Sequence, residues 1–511
     1  MKQTALKNIY FNITRDYDYK IFFDSFKDLF LLKRIGTKDN NCFIYDTYDF
    51  KLIKKNFLFL LKNKKLELLD FQKKYLGKTL TSISIESVPL VIKNIKEETS
   101  NTNFDNLLEN RALIKQAKII EKNIFFEVYQ DELLILKFTL KEFYSIAGNE
   151  KKLFFVFFQT NFIYNETIKK NTISVLKKLT DSKNKKTLLN YITEVDYIKE
   201  KLNIFNNNLI LEKNNSLINN YILIIKQSIN LALLQIEGIK KDIDIEFLHD
   251  FRVALRKIRS INELCGSALN PVLRAKCDED FKRIGKITNK QRDLDSHIIN
   301  ESSYKSILPS DMRDTVDPFF SLLRKKRNEE LKNLKENLNE VFDILCYWRD
   351  LDILEDSGIN YGDDALKETF SFVKQSIYFN YMKLCEGKGQ INESSPDEFF
   401  HKIRIMCKKL RYLIDFFSSL FPKESIVYFL SSLKKLQTAL GVFNDMSVQE
   451  LKLSRFIQKK INKSSDTRTF IALGYILIKL KRKKDSMKKV IIREIVEFTG
   501  DKSLNELKKM L

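Results

Sequence analysis

The chain of 511 residues contains only 6 prolines and 13 glycines. Strand-rich folds need such residues at every reversal, so their scarcity excludes an all-β architecture and points to long helices over most of the length. The 6 cysteines, Cys42, Cys265, Cys277, Cys346, Cys385 and Cys407, include no close pair and no Cys-x-x-Cys. That spacing fits neither a disulfide framework nor a zinc site, and they read as reduced, mostly buried thiols. The opening "MKQTALKNIYFNITRDYDYK" lacks the uninterrupted apolar core of a signal peptide. Nor is there a run of about 18 or more uncharged apolar residues. The expectation is a cytoplasmic protein without membrane partners. Its length exceeds one ordinary core, which predicts two or three domains.

What is abundant is positive charge, +22 in all, as a polyanionic partner would require. Lysine abounds here together with Asn, Ile and Phe, a mixture that coding bias produces, so arginine is the better witness. Three of the 19 arginines (Arg15, Arg34, Arg111) precede residue 252, and sixteen fall between Arg252 and Arg493. The anion-binding half is expected to be the second.

Residues 1–165 carry short β-prone runs, such as "NCFIYDTYDF", "FLFLLK", "NIFFEVYQ", "LLILKFTL" and "LFFVFFQTNFIY", separated by polar stretches. They predict a β-rich domain, a compact sheet or barrel. Residues 166–215 are Lys- and Asn-rich and read as a helical connector. From 216 to 505 apolar residues recur three and four apart, as in "INNYILIIKQSINLALLQI", which predicts an all-α region.

That region is duplicated. "LHDFRVALRKIRSIN" (Leu248–Asn262) and "FHKIRIMCKKLRYLI" (Phe400–Ile414) align at an offset of 152 residues, His249 over His401. "FKRIGKITNKQRD" (Phe281–Asp293) lies over "LKKLQTALGVFND" (Leu433–Asp445) at the same offset. The repeats run from about 216 to 350 and 365 to 505. On a helix that advances about 100° per residue, Arg252, Arg256 and Arg259 fall within about 60° of one another. Phe251, Ala254, Leu255, Ile258 and Ile261 lie opposite. Arg404, Lys408, Lys409 and Arg411 form the same stripe in the second copy. A solvated helix face mixes signs, whereas here the first acids come late, at Glu263 and Asp415. A stripe of like charge kept twice implies a bound counter-charge. Arginine forks and lysine point charges suit phosphate. Stacking platforms for bases are missing apart from Tyr412, so a chain of bare phosphates fits better than nucleic acid.

The doubled pattern His-x-x-Arg-x-x-x-(Arg/Lys)-(Arg/Lys)-x-Arg, each copy followed by a basic helix ending in "QRD" or "FND", resembles the CHAD domain, the conserved histidine α-helical domain. The resemblance implies two four-helix bundles related by a pseudo-twofold axis, with cations lining a central channel that binds inorganic polyphosphate. It implies a binding set of His249, Arg252, Arg256, Lys257, Arg259, His401, Arg404, Lys408, Lys409 and Arg411. Lys282, Arg283, Lys286, Arg292, Lys434 and Lys435 are added from the helix that follows in each copy. Asp293 and Asp445 are expected to orient cations rather than catalyse. Each histidine is expected to donate to phosphate or backbone and not to ligate metal.

CHAD domains often follow a CYTH domain, a β-barrel that works on triphosphates with a divalent metal. "YDTYDFKL" and "ENRALIKQAKII" are similar to segments of that family. Its chemistry needs alternating Glu-x-Glu-x-Lys on the first strand, where this chain has "KNIYFNIT" with no carboxylate. The expectation is therefore α+β: a degenerate CYTH-like barrel without catalytic residues or cofactor, followed by a polyphosphate-binding CHAD domain. The alternatives are a CYTH-type metal-dependent triphosphatase or polyphosphatase assisted by CHAD, and an RNA-binding protein. Polyphosphate granules are the expected place in the cell.

Overall fold

The computed structural model describes residues 9–13, 30–71, 78–84, 89–92, 108, 110–130, 132–147, 150–162, 187–206, 209–354, 360–387, 391–460 and 467–511. The chain divides into two compact units, Met1–Asn207 and Asn208–Leu511.

Among the described residues the first unit is an antiparallel sheet of nine strands: β1 (Ile9–Ile13), β2 (Leu31–Asp46), β3 (Phe57–Lys62), β4 (Lys65–Asp70), β5 (Lys78–Ser84), β6 (Val91–Ile92), β7 (Leu113–Gln130), β8 (Leu133–Ala147) and β9 (Glu150–Phe162). Their order is β1-β9-β8-β7-β2-β3-β4-β5, with β6 on β7. Among the described residues no ladder joins β1 to β5, so the closure of the expected barrel is not among the observed pairings. Strands β3 and β4 are joined by Asn63 and Lys64, both at positive φ, the turn whose twist matches that of paired strands. The run "FLFLLK" lacks polar alternation because β3 is covered on both faces. Leu58 and Leu60 enter one apolar cluster, and Phe59 and Leu61 the other.

A one-turn helix, α1 (Lys51–Lys54), follows β2. Its backbone is held by the buried Asp46, whose carboxylate accepts from the amides of Thr47 at 2.6 Å, Leu52 at 3.0 Å and Ile53 at 2.9 Å. Helices α2 (Leu188–Ile192) and α3 (Asp196–Asn206) bury Leu188, Leu189, Ile192, Ile198 and Leu202 in the same cluster as Leu58. This corrects the reading of 166–215 as a connector. Residues 163–186 lie outside the described residues, and α2 and α3 belong to the sheet because their apolar faces complete its core.

The second unit is helical: α4 (Leu217–Lys241), α5 (Ile245–Cys265), α6 (Pro271–Ile299), α7 (Glu301–Ile307), α8 (Asp317–Asp350), α9 (Thr369–Gly387), α10 (Asp397–Phe416), α11 (Lys423–Lys460), α12 (Thr467–Phe498) and α13 (Asp501–Met510). Prolines are spent at helix starts, where a missing N–H costs nothing. Pro271 and Pro318 stand in the first turns of α6 and α8, and Pro396 and Pro422 just precede α10 and α11. Helix α4 is long and apolar enough to cross a membrane by composition. Its apolar side, including Tyr221, Ile225, Ile229 and Ala232, is buried in the bundle.

Helices α4, α5, α6 and α8 form one bundle, and α9, α10, α11 and α12 the other, each starting 150 to 152 residues after its counterpart. A local twofold axis is visible where the copies meet. Leu217 N donates to Lys367 O at 2.9 Å, and Thr369 N to Asn215 O at 3.1 Å. Ile218 N donates to Ala365 O at 3.1 Å, and Phe370 N to Lys213 O at 3.4 Å. Every donor and acceptor in the second bond of a pair is the repeat counterpart of one in the first. At the centre Ser216 bridges its own counterpart, Glu368.

Candidate anion-binding cleft

Helices α5 and α10 pack against each other across this axis. The side of α5 carrying Phe251, Leu255, Ile258 and Ile261 is buried in the first bundle, and that of α10 carrying Phe400, Ile403, Cys407 and Leu410 in the second. Burying those sides turns the two cationic stripes toward each other. A cleft of about 440 Å³ lies between them, into which Arg256, Arg259, Lys408 and Lys409 project together with Arg274. Glu263 and Asp278 are its carboxylates.

The cations are not neutralised. Among the described residues, Arg252, Arg256, Lys257, Arg259, Arg404 and Lys408 have no carboxylate within ion-pair distance. Burial holds Arg252 and Arg404 below the usual guanidinium range, and the Arg256 charge adds to it in both. Lys408 is lowered to about 8 by burial first, then by Arg404 and Arg256. Arg256 belongs to the first repeat and Arg404 and Lys408 to the second, so the stripes of both copies share one electrostatic environment. Two cations of the α10 stripe do meet acids: Lys409 reaches Glu263 across the axis at 2.5 Å, and Arg411 reaches Asp415 on its own helix at 3.1 Å.

Neighbouring groups hold these side chains in place. Arg252 donates to Gly285 O at 3.1 Å, Thr288 Oγ1 at 2.7 Å and Asn289 Oδ1 at 2.7 Å. Three neutral acceptors orient the guanidinium and leave its charge uncompensated. Arg411 is braced by Gln437 Oε1 at 3.1 Å, and Gln437 in turn donates to Cys407 O at 2.8 Å. Arg292 lies 2.6 Å from His249 Nδ1. A guanidinium only donates, so Nδ1 accepts and the imidazole proton sits on Nε2. In the second copy His401 Nδ1 lies 3.2 Å from Asn444 Oδ1, an oxygen that accepts, so the proton is on Nδ1. Glu246, His249 and Asp250 bring ligand atoms within 4.8 Å of one another, but the adjacent guanidinium opposes a metal cation there.

The following helices contribute unevenly. Lys282, Lys286 and Lys434 are exposed beside the stripe, one turn from Gly285, Asn289 and Gln437, which contact it. Arg283 and Lys435, expected in the binding set, point elsewhere: Arg283 reaches Glu340 of α8 at 2.6 Å and Lys435 reaches Glu497 of α12 at 3.9 Å. One position along α6 or α11 is a rotation of about 100°, enough to take them from the α5 and α10 side to the side of the fourth helix. Asp293 pairs with Lys452 of the second repeat at 3.4 Å. Asp445 favours the charged forms of Arg404 and Lys408. Sequence reasoning missed Arg274, whose repeat counterpart is Ile426, and the neutral braces Thr288, Asn289 and Gln437, which carry no charge to draw attention.

In the first unit, the segments "YDTYDFKL" and "ENRALIKQAKII" meet. Arg111 Nε lies 3.6 Å from Asp49, and Gln116 donates to Thr47 O at 2.9 Å. Burial pushes the Asp46 carboxyl up to about 7. These groups fasten the β2–α1 turn. On β7 the buried Glu121 sits between Lys62 and Lys141, one carboxylate for two amines.

Residues 224–454 match the family model described as the CHAD domain. This region is a CHAD domain. The match starts inside α4 and ends inside α11, spanning both basic helices and both histidines. Solved structures similar to the chain include the crystal structure of the CHAD domain from the plant Ricinus communis, at 19% identity and TM-score 0.45, covering 56% of this chain and 94% of that one. PptA from Streptomyces chartreusis is similar at 12% identity and TM-score 0.41, covering 55% of this chain and 98% of that one. No curated protein matches the sequence.

Proposed function

We propose that the CHAD domain binds inorganic polyphosphate along the cleft between α5 and α10. The observation that carries this is that, among the described residues, Arg252, Arg256, Arg259, Arg404 and Lys408 have no carboxylate partner, on stripes that two copies of one helix turn toward each other. Cations in mutual repulsion, all but Arg259 half-buried, make the empty site electrostatically costly, and a linear polyanion removes that cost along its whole length. Guanidinium forks from one side and ammonium groups from the other contact successive phosphates without reading bases, which favours bare phosphate over RNA.

The first unit is read as a non-catalytic scaffold or interaction surface, because its Lys62–Glu121–Lys141 cluster has too few carboxylates to hold a divalent ion. Release of phosphate from tripolyphosphate with added magnesium, at about 1 per second or faster, overturns that part. The binding claim is tested by titrating long-chain polyphosphate and RNA of equal charge at several salt concentrations. Polyphosphate is expected to bind more tightly, with an affinity that falls steeply between about 50 and 200 mM salt as condensed counterions are released. A flat salt response, or tighter RNA binding, rejects it. In cells that store polyphosphate the protein is expected at the storage bodies.

A further inference from the structure

A larger cavity, about 770 Å³, lies outside the cleft, between α7, α11 and α12. On its α12 side stand Lys479, Arg482 and Lys483, three and four residues apart and so on one helix face. All three are exposed, and among the described residues none has an ion-pair partner; Lys479 lies 5.2 Å from the Tyr475 ring. At the 150-residue spacing of α8 and α12 the first repeat has Glu329, Lys332 and Asn333 at these positions, so the full triplet is not shared by the two repeats. On the α11 side Val442 and Met446 form an apolar patch next to Asp445 and Gln449, with Leu480 of α12 beside them. Tyr304 of α7 also lines the cavity; it is 1% exposed, and its buried hydroxyl has no hydrogen-bond partner. A buried hydroxyl left unpaired costs about 1–3 kcal/mol, which a ligand acceptor reaching it would recover.

We propose that this cavity is a second anion site that takes an organic phosphate, its phosphate against Lys479, Arg482 and Lys483 and its apolar or ring-bearing body against Val442, Met446 and Leu480. The volume lies within the range of small-ligand pockets, about 300–1,000 Å³, and the concave shape does not suit a duplex or a membrane. Asp445 stands at the border, lining this cavity while acting on Arg404 and Lys408 of the cleft. The carboxylate separates two cation clusters that a continuous phosphate track would join.

The test uses the full chain, metal-free ATP as the organic phosphate and tripolyphosphate as the same charge without a body, followed by calorimetry at fixed salt. ATP is expected to bind at least about tenfold more tightly than tripolyphosphate. Arg482→Glu with Lys483→Glu should weaken ATP at least about tenfold and leave long-chain polyphosphate within about twofold. Arg404→Glu with Lys408→Glu should do the reverse, so failure here and failure of the polyphosphate reading are told apart. Tyr304→Phe should weaken ATP about threefold or more without lowering the thermal midpoint, which decides the question even if the charge reversal disturbs folding. Equal binding of ATP and tripolyphosphate, loss of ATP only in the cleft variant, or unchanged ATP affinity in Tyr304→Phe each overturns the proposal.

Discussion

The two repeats of the CHAD domain share helix order and spacing but differ in most of their polar bonds. In the first, Arg327 joins α8 to Asp242 at 2.5 Å and to the buried Asp295 at 2.8 Å. The second has Leu477 and Ser447 at the positions of Arg327 and Asp295, and places its interior cation elsewhere: Lys484 meets Asp397 at 2.7 Å and Glu450 at 2.5 Å. Arg292 beside His249 becomes Asn444 beside His401, and Gly285 becomes Gln437. Against this drift the stripe positions stay cationic in both copies. Structural ion pairs can be reinvented wherever a bundle needs them, because only local geometry constrains them. The stripe has no such freedom, since both halves face one cleft.

Four measurements break or sharpen this comparison. The largest effect is expected from Arg327→Ala, which takes the guanidinium from the buried Asp295. A loss of about 3–5 kcal/mol in denaturant unfolding is expected, and Lys484→Ala should cost a similar amount; near-neutral results would show that the two networks do not hold their bundles. Next comes charge reversal in the cleft. Arg256→Glu and Lys408→Glu should each weaken polyphosphate binding about a hundredfold, equally for the two repeats, with thermal midpoints unchanged or raised as like-charge repulsion is relieved. If only one weakens binding, the site belongs to a single bundle.

A third, smaller effect concerns pH. Lys408 is lowered to about 8 in the empty protein and a bound phosphate favours its ammonium form. Below pH 8 it is already charged; above, binding must take up a proton. Affinity should therefore fall above pH 8 by at most about tenfold per pH unit, and Lys408→Arg should remove that fall. The linked stability effect has the opposite sense: a lysine depressed on folding destabilises fully below pH 8 and less as pH rises toward its unfolded value. The smallest change is Asn444→Arg, which restores to the second copy the cation beside the histidine. A gain of a few-fold in polyphosphate affinity is expected by titration; no gain would mean that Arg292 serves only to orient His249.

The sequence displayed the duplication because charge and periodicity are local properties. His249, Arg252 and Arg256 and their counterparts recur at a fixed offset, and the structure brings Arg256 and Lys408 of the two stripes to one cleft. It did not display which side of α6 faces α5, so Arg283 and Lys435 were grouped with Lys282 and Lys434 although one residue of rotation sends them to Glu340 and Glu497. Nor did composition separate a connector from a core element in 188–206, because only the sheet underneath shows that Leu188, Leu189 and Ile192 have something to cover. Asp46 was placed within a family-like segment, yet its three amide donors identify it as the cap of a helix too short for periodicity to reveal.

The reciprocal amide bonds at Leu217 and Thr369 have a bearing on ancestry and assembly. In each copy the residues before the first helix are clasped by the same stretch of the other copy, with Ser216 against Glu368 on the axis. Contacts of this kind are self-complementary, as in a twofold homodimer. A chain with one repeat would form the same clasp by pairing with a second copy of itself, and the cleft would then be completed only in the pair. Fusion into one chain makes that pairing intramolecular, with residues 351–368 joining the halves, so the cleft no longer depends on protein concentration. It also frees each half to diverge, as α12 has done with its own set of cations.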